Sequence, residues 1–167
     1  MKKNILWSGL PDRTELTELS QLGWNVYTDD WNKYTKGSPT AFGRILMTEI
    51  RLRDPSVVII DKGRSGAWHI SCNDLHMIQD AEIGVVIIDT SSANDLAGLV
   101  SSGMVECCDI LLVSAIETKT YLKRFTYADI LEWKPTGVLL QTACVSAYAK
   151  RKAARLPSCC KDKDRLH

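Results

Sequence analysis

No apolar run in this sequence approaches the roughly 18 residues that a membrane-spanning helix needs, and neither sign of charge is in excess. Lys and Arg number 21 against 20 Asp and Glu, a formal net charge of +1. That balance excludes a whole-protein attraction to nucleic acid or to anionic membranes. The apolar stretch ending at Trp7 is too short for the core of a secretory leader. The six cysteines, Cys72, Cys107, Cys108, Cys144, Cys159 and Cys160, contain no CxxC spacing. His69 and His76 flank only the isolated Cys72, so neither a structural zinc site nor a disulfide framework is expected. Reduced thiols in a cytoplasmic protein without metal or cofactor are the expectation.

The 45% hydrophobic content excludes a disordered chain, and 167 residues suffice for one substantial core but not two. Charge is uneven along the chain. Residues 150–167 hold seven Lys or Arg and two Asp, leaving 14 basic against 18 acidic residues, a balance of −4, in the remainder. The basic tail has no aromatic interleaving, and nucleic-acid binding is not expected from it.

Short apolar runs bounded by turn residues recur at residues 4–7, 24–28, 57–60, 84–88 and 110–113. Their length and continuity predict five buried strands. Segments with helical period lie between them. Pro11 and Asp12 open one that stops at Gly23, and Ser38 and Pro39 precede a second carrying Phe42, Ile45, Leu46 and Ile50. Ser71 caps a third through Ile78, Ser92 or Asn94 a fourth through Val100, and Thr118 a fifth through Leu122, Phe125 and Leu131. Alternating strands and helices predict a doubly wound, three-layer α/β domain with a parallel five-stranded sheet over residues 1–133. Residues 134–167 read as an appended helix and basic tail, with Val138, Thr142, Val145 and Ala149 on one side. Pairing with another chain and capping of its own sheet are equally compatible with that helix.

The strand ends carry Ser8, Gly9 and Leu10, then Asp29 and Asp30, Asp61 and Lys62, Asp89 to Ser91, and Ser114. The runs ILWSGLPDRTEL at 5–16, LGWNV at 22–26, DPSVVIID at 54–61, IDTSSA at 88–93 and CDILLVSA at 108–115 resemble, in order and spacing, the five strands of a response-regulator receiver domain. The resemblance implies a flavodoxin-like fold in which Asp61 holds the phosphoacceptor position and Thr90 or Ser91 the hydroxyl switch position. Phosphoryl transfer to a carboxylate also needs acidic residues after the first strand to hold a divalent cation, and a lysine at the end of the fifth. Ser8, Gly9 and Leu10 occupy the first place and Ser114 the second. A pseudo-receiver without catalysis is therefore expected, most similar to the degenerate receivers at the front of VpsR-type biofilm regulators, which are linked to cyclic di-GMP. What this implies is a phosphorylation-independent module in bacterial signalling or biofilm control. As in receivers, it would meet a protein partner, or a second copy as a homodimer, through the face from the fourth to the fifth helix, residues 99–125.

A second doubly wound family enters through VVIIDT at 85–90 and CDILLV at 108–113, which resemble later strands of ParA- or MinD-like partitioning ATPases. WSGLPDRT at 7–14 would then be the phosphate loop. Trp7 and Asp12 replace the glycines that let backbone N–H groups approach phosphate, and Arg13 replaces the lysine. The alternative expectation is an eroded relative acting as a scaffold or nucleotide-binding partner. A third reading places a small ligand among Trp7, Trp31 and Trp68 at the strand ends.

Overall fold

The structure is a computed structural model and describes residues 1–29, 39–62, 70–90, 92 and 96–154. Six parallel strands form one sheet: β1 (Asn4–Ser8), β2 (Asn25–Asp29), β3 (Val57–Asp61), β4 (Gly84–Asp89), β5 (Ile110–Val113) and β6 (Asp129–Glu132). Their spatial order is β2-β1-β3-β4-β5-β6. The first five strands thus follow the 2-1-3-4-5 order of flavodoxin-like sheets, whose chain reverses direction between β1 and β3. Helices α1 (Arg13–Gln21), α2 (Pro39–Arg53), α3 (Cys72–Asp80), α4 (Leu96–Ser101), α5 (Lys119–Leu122) and α6 (Gly137–Ala154) alternate with the strands.

Every residue of β3, β4 and β5 is buried. A parallel sheet covered on both faces demands this, and it accounts for the continuous Val/Ile/Leu runs. Alternate side chains divide between two cores. Val58, Ile60, Val85, Ile87, Leu111 and Val113 pack with Leu46 and Ile50 of α2, Leu75 and Ile78 of α3 and Leu99 of α4. On the other face Val57, Ile59, Val86, Ile88, Ile110 and Leu112 pack with Leu19 of α1 and with Leu140, Ala143, Cys144 and Ala147 of α6. The helix starts match the local chemistry. Asp12 caps α1 in a capping box with Glu15, Ser71 caps α3 with Asp74, and Gly23 takes φ +83° after α1. Ser38 and Asn94, expected caps, lie outside the described residues.

Two expectations are corrected. The sheet has six strands rather than five. The helix expected from Thr118 to Leu131 ends at Leu122, and Asp129–Glu132 pairs instead with β5 as an edge strand. In α6 the four residues expected on one side do share it, and that side is the outer one. Val138, Thr142, Val145 and Ala149 all face outward, and the buried side is Gly137, Leu140, Ala143, Cys144 and Ala147. The helix lies on the sheet, held at its start by the Gly137 N–H donating to the Glu18 carboxylate of α1. Near its end Lys150 reaches Asp129 at 3.0 Å, Arg151 reaches Asp109 at 2.6 Å and Lys152 reaches Glu82 at 2.7 Å. Of its two compatible roles, capping its own sheet is the one observed.

Candidate functional site

In a doubly wound sheet, ligands and chemistry gather outside the carboxyl ends of the strands, where the strand order reverses. Here β1 and β3 flank that point, so Ser8, Gly9, Asp61 and Lys62 define the candidate site, with Asp89 and Thr90 from β4 and Ser114 from β5 alongside.

Asp61 ends β3 with 0% of its surface exposed. Lys62 follows it, and its Nζ donates to Asp89 Oδ2 at 3.3 Å, with both side chains 1% exposed. The ladder explains this partner. Asp61 lies opposite Ile88 in the β3–β4 register, so the next residue on each strand places Lys62 beside Asp89. The Asp89 carbonyl accepts the Ser114 N–H at 3.2 Å, tying the ends of β4 and β5 together. Ser8 is buried, Gly9 turns the chain at φ +148°, and Leu10 is exposed. Thr90 and Ser114 are exposed. The structure therefore brings Asp61, Ser8 and Gly9 to one edge, while Ser91 lies outside the described residues.

The sequence places Lys62 after Asp61 at one strand end and Asp89 within VVIIDT at another. Their pairing with each other is the feature missed. It follows from the register, in which Val57 lies opposite Gly84 and Asp61 opposite Ile88.

The phosphate-loop alternative meets a geometric obstacle at α1. Glu15, fully buried, accepts the Asp12 N–H at 2.8 Å, and the Asp12 side chain turns to the N–H of Glu15. Two carboxylates thus occupy the helix start that a nucleotide phosphate would need, and they present the wrong charge to it. Trp7 lies fully buried in the core beneath α1 and α6, not in a surface pocket. Trp31, Trp68 and His69 lie outside the described residues.

Within residues 99–125, Leu99, Met104, Val105, Leu111 and Leu122 are core residues, while Tyr121 is exposed. Strand β6 covers the outer edge of β5. Among the described residues no group of three or more His, Cys, Asp or Glu is arranged to hold a metal ion, and no helix is long and apolar enough to cross a membrane. No family model, no curated protein and no solved structure matches the chain.

Proposed function

We propose that the chain is a non-catalytic, phosphorylation-independent protein-interaction module of pseudo-receiver type. The observation that carries this reading is the closure of the strand-end site. Asp61 is fully buried, the neighbouring lysine is engaged by Asp89 at 3.3 Å, and the β1 end offers Ser8 where a cation would need carboxylates. A phosphoryl donor reaches neither the carboxylate nor a metal to neutralise the equatorial oxygens. The bacterial signalling setting follows from the resemblance alone.

The test is intact mass of the full chain after incubation with acetyl phosphate and Mg²⁺, with sedimentation equilibrium of the same samples. The expected result is an unmodified mass and an oligomeric state unchanged by the treatment or by Asp61→Asn. A phosphoryl adduct that disappears in Asp61→Asn overturns the reading.

One observation favours a second reading, binding of a small ligand. The sheet carries a sixth parallel strand beyond the five of a receiver, as the sheets of dinucleotide-binding domains do, and exposed Thr90 and Ser114 supply hydrogen-bonding groups at its carboxyl edge. A thermal shift with nucleoside mono-, di- or triphosphates that is lost in Thr90→Val would move the assignment to this reading.

A further inference from the structure

Helix α3 and the 3₁₀ turn Met104–Cys107 bring together thiols that are 35 positions apart in the chain. Cys72 is the first residue of α3, after the Ser71 cap, and His76 stands one turn further along the same side. Cys107 ends the 3₁₀ turn that Ser102 and Gly103 lead into, which sets its thiol beside α3. Cys107 Sγ lies 3.4 Å from His76 Nε2, and Cys72 Sγ donates to the Ser102 carbonyl at 3.2 Å. Gly103, at φ +72°, makes room for this arrangement, since a Cβ there would stand 2.9 Å from Cys72 Sγ.

The two sulfurs differ in access. Cys72 is half-buried, whereas Cys107 is 2% exposed. Burial above all, then the neighbouring Cys72 thiol and the charge of Glu106, push the Cys107 thiol up to about 12. The inner thiol therefore needs a base, and the imidazole in contact with it is His76. Next to His76 an open cleft of about 550 Å³, lined also by Glu106, Lys123, Arg124 and Tyr127, admits solvent to the cluster. Cys108 and Cys144 are placed differently. Cys108 Sγ faces the Val105 carbonyl at 3.6 Å, and Cys144 sits in the opposite core.

We propose that Cys72 and Cys107 are a peroxide-oxidised thiol pair, Cys72 the attacking and Cys107 the resolving cysteine, with His76 as proton acceptor. The Cys72 thiolate attacks one oxygen of hydrogen peroxide. The S–O bond forms, the O–O bond breaks, and the departing hydroxide leaves as water with the proton released by Cys72. His76 Nε2 takes the Cys107 proton. The Cys107 thiolate then attacks the Cys72 sulfenic sulfur, and the S–S bond forms as the S–O bond breaks. The leaving hydroxide recovers the proton from His76 as a second water. Two thiols and one peroxide give one disulfide and two waters, and the two electrons reduce the peroxide. The bond staples α3 to the turn that leads into β5, independently of the function assigned to the strand ends.

The test treats the reduced full chain with one equivalent of hydrogen peroxide, blocks free thiols, and maps the peptides by mass spectrometry without reduction. The expected product is a Cys72–Cys107 cross-linked peptide and a Tm about 5 °C or more above that of the reduced protein. Cys107→Ser accumulates a dimedone-trapped sulfenic acid at Cys72. His76→Gln leaves that first step unchanged and slows the second about tenfold or more, a separation that a purely structural histidine does not produce. Free, alkylated Cys72 and Cys107 after treatment overturn the proposal, as does a disulfide confined to Cys159 and Cys160. A His76→Gln protein that closes the bond at the original rate removes the histidine from it.

Discussion

Arg151 Nη2 of α6 stands 2.6 Å from Asp109 Oδ1, while the other oxygen of the same carboxylate accepts the Val85 N–H at 2.8 Å. One side chain at the entry to β5 thus joins the start of β4 to the end of the last helix. Gln79 of α3 adds a longer contact at 3.5 Å, and the Asp109 carbonyl accepts from Lys150 at 3.2 Å. The arrangement converts a helix on the surface of the sheet into part of its cover.

Removing this carboxylate strands a buried N–H and a partly buried guanidinium. Asp109→Ala is expected to lower stability by about 3 kcal/mol in urea denaturation at neutral pH. Asp109→Asn keeps an acceptor for Val85 and separates charge from hydrogen bonding. Burial raises the Asp109 pKa above 3.8, outweighing the Val85 hydrogen bond and Arg151, which lower it. The folded protein therefore holds this proton more tightly than the unfolded chain. Its contribution is fully present below the unfolded pKa and is lost as pH rises through the folded one. Urea midpoints across the acid range should show wild type losing stability relative to Asp109→Asn as pH rises. A constant difference between the two proteins contradicts the assignment.

The Lys62–Asp89 pair makes a separate prediction. Two charges with 1% exposure are attracted strongly only while both remain. Lys62→Met and Asp89→Leu are each expected to cost about 3 kcal/mol, and their double-mutant cycle to show coupling of at least about 1 kcal/mol. Simple additivity in that cycle would mean that the two groups are held mainly by other neighbours.

Gly84 tests how closely α6 lies against the sheet. A Cβ built on this first residue of β4 meets the Ala147 carbonyl carbon at 2.8 Å, the Ala147 Cβ at 2.9 Å and the Tyr148 nitrogen at 2.9 Å. Two of those three atoms are backbone, so the helix itself must move. Gly84→Ala is expected to destabilise by about 1–3 kcal/mol, and Ala147→Gly in the same chain should restore only a minor part. Full rescue would place the clash in the side chain instead.

Strands β1, β3, β4 and β5 are legible in the sequence because their apolar runs are buried and bounded by turn residues, and the edge strand β2 because Val26 and Tyr27 follow the stop at Gly23. Strand β6 is not, for a physical reason. Only Ile130 of its four residues is buried, and an edge strand with one neighbour needs no continuous apolar run. The spacing of Leu122, Phe125 and Leu131 also imitates a helix. In α6 the helix is legible but its orientation is not. The sequence GVLLQTACVSAYAK is apolar or small almost all round, so no polar face fixes the phase. At the site, the positions of Asp61 and Ser8 follow from strand ends. The partner of Lys62 is a property of register, which no single strand carries.

The place where the domain ends is open to direct test through residues 1–133, the unit expected from the alternation of strands and helices. Cutting there removes Leu140, Ala143, Cys144 and Ala147 from above Val86, Ile88, Ile110 and Leu112, residues that are fully buried in the intact chain. It also removes Gln141, which accepts from Trp24 Nε1 at 3.3 Å, and Arg151 from Asp109. Uncovering several large apolar side chains at about 1.5–3 kcal/mol each consumes most of the 5–15 kcal/mol by which domains of this size are stable. The 1–133 chain is therefore expected to bind a hydrophobic dye and to lose its cooperative thermal transition, while the 1–154 chain keeps it. A 1–133 chain that melts cooperatively near the temperature of the full protein would show that the sheet needs no cover from α6, and would restore the helix to the status of an appendage.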